Sequence, residues 1–104
     1  MATHDLKIES RWFERVVSGE KCAEVRRHDR DFQVGDTLHM TEVNDRGYPV
    51  RHNILEGELS EGTSSREAYV DVFVTHVLDG RLAPGLADDY CVLSITNPVT
   101  GFGD

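Results

Sequence analysis

Apolar residues in this chain recur mostly with a period of two, in segments separated by glycine, asparagine and proline, and only once with the period of a helix. Residues 4–9, HDLKIE, set Leu6 and Ile8 against Lys7 and Glu9, the alternation of a half-buried strand. Then the period changes. Trp12, Phe13, Val16 and Val17 fall on one helical stripe with Arg11, Glu14, Arg15 and Ser18 opposite; Ser10 stands where an N-cap belongs and Gly19 where a left-handed stop belongs. This predicts one short amphipathic helix docked on a sheet, with Trp12 a core residue rather than a ligand platform.

After Gly19 the pattern returns to strands. Glu20 to Arg27 reads as a charged strand in which Cys22, Glu24 and Arg26 share one face and Lys21, Ala23 and Val25 the other. A polar connection from His28 to Gln33 and a Gly35-Asp36 turn lead into Thr37–Val43, a strand whose inward side the pattern leaves open. Asn44–Gly47 is a turn, and Tyr48–Leu55 a return strand with an irregular start at Pro49. Residues 56–66 hold one large apolar residue and read as an exposed, mobile excursion. Residues 67–78 are the clearest strand, with Val70, Val72 and Val74 on the core face. Asp79-Gly80 turns the chain, Ala83 to Asp89 suggests a loop with one short helical turn, and Tyr90–Thr96 closes the sheet. The expected organisation is one α+β domain over residues 1–97 and a flexible tail over 98–104.

Composition narrows the functional classes. A length of 104 residues allows one modest core. The net charge of −8 is unevenly spread: residues 1–30 carry seven Lys and Arg against six Asp and Glu, residues 31–104 four against thirteen. Such an acidic body repels a polyanion at long range and argues against coating duplex DNA. The local cations before residue 31 leave room for capture of a nucleotide, a nucleoside or a short single strand. No run of about 18 apolar residues spans a membrane, and MATHDLKIES lacks the apolar centre of a signal peptide, so a cytoplasmic protein with no membrane partner is expected. Cys22 and Cys91 form no C-x-x-C pair, and His4, His28, His39, His52 and His76 show no metal-ligand spacing, so neither metal nor cofactor is expected.

Charge is densest in Ser18–Asp36, SGEKCAEVRRHDRDFQVGD. There Lys21, Glu24 and Arg26 offer two donors and an acceptor: a carboxylate can orient the amide edge of a base while the cations take carbonyl or phosphate oxygens. Strand alternation sets Lys21 on the wrong face for this, so it joins the other two only if the helix-to-strand connection, or a bulge, turns it. The plainer alternative is a row of solvated edge residues.

Gly19, Lys21, Glu24 and Arg26 match the G-x-K-x-x-E-x-R signature of the ASCH domains, a branch of the PUA-like β-barrels. With Asp29-Arg30-Asp31-Phe32, Val34-Gly35-Asp36, Leu78-Asp79-Gly80 and Val92–Ile95, the chain resembles a small bacterial and phage subfamily of the DUF3850 kind. The resemblance implies a small mixed β-barrel of five to six strands with an N-terminal helix and a short second helical turn. It implies a cleft bordered by Gly19, Lys21, Glu24 and Arg26 that takes single-stranded RNA or a modified nucleoside, with Arg30 or Phe32 stacking on a base unless Phe32 anchors its loop to the core. Some relatives hydrolyse N4-acetylcytidine with a motif lysine and a threonine three residues later; Lys21 is kept here, but Glu24 stands at the threonine's place. Another relative cleaves single-stranded RNA with a motif lysine. The expected protein is thus a monomeric binding module, the alternative a metal-independent hydrolase with Lys21 and Glu24 as its acid-base pair, and the third possibility a protein-interaction role.

Overall fold

A computed structural model describes residues 1–55 and 63–103. Along them run β1 (Thr3–Glu9), α1 (Ser10–Val17), β2 (Ala23–Arg27), β3 (Thr37–Val43), β4 (Arg51–Leu55), β5 (Thr63–Asp79), a 3-10 turn (Gly80–Leu82) and β6 (Tyr90–Gly103). The strands form one sheet in the order β1-β3-β5-β6-β2, with β4 on the first residues of β5. β1 and β3 run parallel, and α1 with β2 forms the crossover such a pair requires. The other pairings are antiparallel. The sheet curls into a half-barrel until its edges β1 and β2 face each other. In place of a ladder, the Arg26 guanidinium spans this seam and donates to the Lys7 carbonyl at 2.7 Å. No helix among the described residues is long and apolar enough to cross a membrane.

The core follows the period-two pattern. Leu38 and Met40 of β3 and Val70, Val72 and Val74 of β5 are at most 1% exposed, and Cys91, Leu93 and Ile95 of β6 complete the layer with Ile8, Val16 and Phe32. Each such side chain contributes about 1.5–3 kcal/mol by leaving water. The inward side of β3 is therefore the one carrying Leu38, Met40 and Glu42. Of the helical stripe only Val16 is fully buried; Trp12 and Phe13 are half-buried and Val17 is exposed. The helix thus docks along one narrow line, with a hollow on either flank.

Several elements differ from expectation, each for a local reason. Ser10 is the first helical residue rather than the cap: Glu9 holds the cap position, and the Ser10 hydroxyl donates to the Val43 carbonyl at 3.3 Å. β2 starts at Ala23, because Gly19 at φ 80° and the Lys21 N–H bonded to the Arg15 carbonyl at 2.9 Å keep the chain folded over the helix end. Residues 63–66 belong to β5, paired with β4, rather than to an excursion; residues 56–62 of that segment lie outside the described residues. The short helical turn sits at Gly80–Leu82, ahead of Pro84, where the Asp79 carboxylate accepts the Arg81 N–H at 2.9 Å.

The expected tail is instead the second half of β6, pairing from Asp71↔Val99 to Glu67↔Gly103. The register slips between Asp71 and Phe73, leaving Asn97 and Pro98 opposite Val72 alone. This bulge absorbs both the missing N–H of Pro98 and the positive φ of Asn97, 54°. Gly101 is a packing position: a Cβ there would lie 2.3 Å from the Tyr69 hydroxyl oxygen, so the ring of its ladder partner rests directly on its backbone.

Asp36, 1% exposed, ties β1 to β3. Its Oδ1 accepts the Ala2 N–H at 2.9 Å, and its Oδ2 takes His4 Nε2 at 2.8 Å and the Gln33 N–H at 2.9 Å. The Ala2 N–H first, then His4 and the Gln33 N–H, outweigh burial and lower its pKa from 3.8 to about 2. A depressed carboxyl stabilises the fold above its unfolded pKa and loses that contribution as pH falls through the folded one. Stability is therefore expected to drop by roughly 2 kcal/mol from this group between about pH 4 and pH 2. Urea unfolding of wild type and Asp36→Asn at pH 6 and pH 2.5 checks this: the variant starts weaker and loses less over the same interval. An equal loss in both proteins would contradict it.

Candidate functional site

The seam between β1 and β2 is where the chain gathers its unusual chemistry. Glu24 and Arg26 stand opposite Leu93 and Cys91 in the β2–β6 ladder, so they share the inward face of the half-barrel, while Val25 between them is 56% exposed. The strand carries Glu24 and Arg26 in and Val25 out, while Arg27, on the face of Val25, is exposed with its guanidinium 3.5 Å from the Asp89 carboxylate. Lys21 precedes β2 and escapes strand alternation: held by the turn after α1, its ammonium reaches Glu24 Oε1 and the Ala23 carbonyl. Glu24 Oε2 accepts from Arg26 Nε at 2.7 Å, and Arg26 Nη2 continues to Lys7 across the seam. The turn, not a bulge, supplies the reorientation that the motif demands. Glu24 is 6% exposed, a burial that costs several kcal/mol for a carboxylate unless both oxygens are paired, as they are here.

In front of this cluster opens a cleft of about 720 Å³. Lys7 and Glu9 of β1, Trp12 of α1, Arg27 of β2 and Tyr90 of β6 join the cluster in lining it. Four cationic side chains, Lys7, Lys21, Arg26 and Arg27, face two acidic ones, Glu9 and Glu24. The cleft is thus positive on a chain of net charge −8. Trp12 is steadied by the guanidinium groups of Arg11 and Arg15, 4.7 and 5.5 Å from its ring centre. Tyr90 is 36% exposed and is the ladder partner of Arg27.

The remaining sequence candidates lie elsewhere. Gly19 shapes the turn that delivers Lys21 and does not line the cleft. Arg30 reaches the Asp5 carbonyl at 3.4 Å and Asp29 at 3.6 Å, also outside the cleft lining. Phe32 is 3% exposed with the His4 ring 4.7 Å away, so it anchors its connection to the core and offers no face to a ligand. The His28 N–H donates to the Asp89 carbonyl at 2.7 Å. Trp12, expected in the core, is instead half-buried and lines the cleft. Arg27 stood in the charged run without a role, and Lys7 and Tyr90 were not among the sequence candidates. Arg27 adjoins the motif, but the other three enter only through the crossover and the β2–β6 register, which no local pattern encodes.

Comparison with known proteins agrees with the DUF3850 resemblance. The family model described as a domain of unknown function, DUF3850, matches residues 3–95. A protein of Escherichia phage P2, described as an uncharacterized 12.9 kDa protein in the GpA 3' region, is 28% identical over 81 residues, 78% of this chain and 72% of the phage protein. The matched span holds the helix, the seam and every residue of the cleft lining, and the chain belongs to the DUF3850 family.

Proposed function

We propose that the β1–β2 cleft is a binding site for a short single-stranded RNA segment or a modified nucleoside. The observation that carries this reading is the cluster of buried Glu24 with half-buried Lys21 and Arg26 at the back of a cationic cleft on an acidic chain. Lys7 and Arg27 are exposed and suited to phosphate or carbonyl oxygens. Trp12 and Tyr90 supply aromatic surface, and a stacked base contributes about 1–3 kcal/mol. Assignment of the half-barrel to the ASCH branch of PUA-like domains goes with this reading. Its support is the curled sheet, the helix between the first two strands and the motif at the helix-to-strand turn. A hydrolase using Glu24 as base needs its carboxylate aimed at a water in the cleft; both oxygens are instead held by cations, Lys21 and Arg26, an arrangement that fits binding better than turnover.

Calorimetric titration with single-stranded pentanucleotides and modified nucleosides tests the proposal. Saturable binding is expected, with log K falling against log salt at about −0.7 per phosphate engaged, so a slope of about −1 to −2. Lys7→Ala and Arg27→Ala are each expected to weaken binding about fivefold without loss of fold. The absence of binding to any RNA or nucleoside would overturn the reading. Turnover of an N-acylated cytidine that Lys21→Met abolishes would replace it with the hydrolase.

A further inference from the structure

The other flank of α1 holds a second pocket, of about 270 Å³, on the opposite side of the helix stripe from Trp12. It is lined by Phe13 and Val17 of α1, by Gly101 and Phe102 of β6, by the buried Ala68 and Glu42, and by the more exposed His52. The pocket is mostly apolar, yet it contains an ionisable group that the core does not need. Glu42 is 7% exposed, and its Oε1 accepts from His52 Nε2 at 2.8 Å. Its Oε2 takes no hydrogen bond from any described residue. Among the described residues no side-chain nitrogen or oxygen is both sealed from solvent and unpartnered, so Oε2 keeps some contact with solvent, and Glu42 lines this pocket. A carboxylate oxygen held in an apolar hollow is costly unless a donor reaches it. Glu14 at the rim adds a second negative charge.

We infer that this pocket binds a small ring-bearing cation, an arylalkylamine or an aryl amidine, with its ring between Phe13 and Phe102 and its charged nitrogen on Glu42 Oε2. The volume suits a single ring with a short arm, and the two carboxylates would repel the phosphate of a nucleotide. A fixed anionic acceptor flanked by aromatic and aliphatic walls is the complement of such a ligand: the ring replaces water on apolar surface, and the cation receives a charge-assisted hydrogen bond. The site is independent of the β1–β2 cleft, with which it shares no lining residue.

Protein-observed NMR titration of the full chain tests this, using benzamidine, phenethylamine, neutral benzyl alcohol and anionic benzoate as probes. Benzamidine and phenethylamine are expected to bind saturably in the millimolar range, shifting the amides of His52, Ala68, Gly101 and Phe102. Benzyl alcohol is expected to bind at least about tenfold more weakly, and benzoate not at all. Glu42→Gln is expected to bring benzamidine down to the benzyl alcohol level, and Ala68→Leu to block all probes with the carboxylate still present. Arg27→Ala, in the other cleft, leaves benzamidine binding unchanged. The wild-type comparison of probes stands even where a variant fails to fold. Equal affinity for benzamidine and benzyl alcohol, shifts confined to the β1–β2 cleft, or no saturable shift would overturn the inference.

Discussion

Gly80→Ala is expected to remove about 4 kcal/mol or more of folding stability. A Cβ at this buried position would fall 2.1 Å from the Ala87 carbonyl oxygen and 2.4 Å from that of Tyr90. Both obstacles are backbone, so no rotamer change relieves them. The Ala87 carbonyl also accepts the Tyr90 N–H at 3.0 Å, closing the turn that delivers Tyr90 to the start of β6 and to the cleft. The alanine therefore injures stability and site together. Gly85→Ala is the matched control: its φ is 88° but its would-be Cβ meets nothing within 4 Å, and it is expected to cost only about 1 kcal/mol. Urea unfolding of both variants separates the two effects. A Gly80→Ala midpoint close to that of Gly85→Ala would contradict the tight closure of this turn.

Glu24→Ala is expected to cost about 3–5 kcal/mol, since it leaves two like charges facing each other with no anion between them. The Lys21 and Arg26 side chains are only 23% and 22% exposed, so they cannot hydrate fully in place. Replacing Lys21, Glu24 and Arg26 together by Met, Leu and Met is expected to restore most of that loss, because the desolvation penalty leaves with all three charges. In a double-mutant cycle the Glu24–Arg26 coupling should exceed about 2 kcal/mol, against less than about 1 kcal/mol for the exposed Glu9–Arg11 pair. A Glu24–Arg26 coupling as small as that of the surface pair would show that the seam is held by something else.

The sequence disclosed its core strands readily because one face of each had to be continuous. Val70, Val72 and Val74 state the inward side of β5 without ambiguity, and Thr37–Val43 has the bounds of β3. Where charge or glycine serves packing, the same logic misleads. β2 points Glu24 and Arg26 inward and Val25 outward, the reverse of hydrophobic alternation, because an unpaired seam needs polar groups facing it. The β6 terminus looked frayed through its glycines, yet Gly101 is glycine because Tyr69 lies on it, and Pro98 is tolerated because it falls on a bulge. Phe32 shows the converse: an aromatic beside a charged run was open to two readings, and the core took it.

The candidate site divides along the same line. Lys21, Glu24 and Arg26 lie within six residues, so their type and spacing showed in the chain, and the turn at Gly19 decided whether they meet. The rest of the cleft comes from β1, α1 and β6. Only the curl of the sheet brings those elements to β2. The second pocket was invisible for a like reason: it joins Phe13, Glu42 and Phe102, separated by most of the chain.

Trp12 is the single tryptophan of the chain and lines the cleft, so its fluorescence reports directly on occupancy of the seam. Titration of the protein with a short single-stranded RNA at low salt is the most direct test of a ligand site between β1 and β2. Saturable quenching of Trp12 is predicted, weakened about fivefold by Arg27→Ala and suppressed by added salt. Trp12 emission that stays constant while the RNA binds, or RNA binding that survives both Arg27→Ala and high salt, would contradict the account.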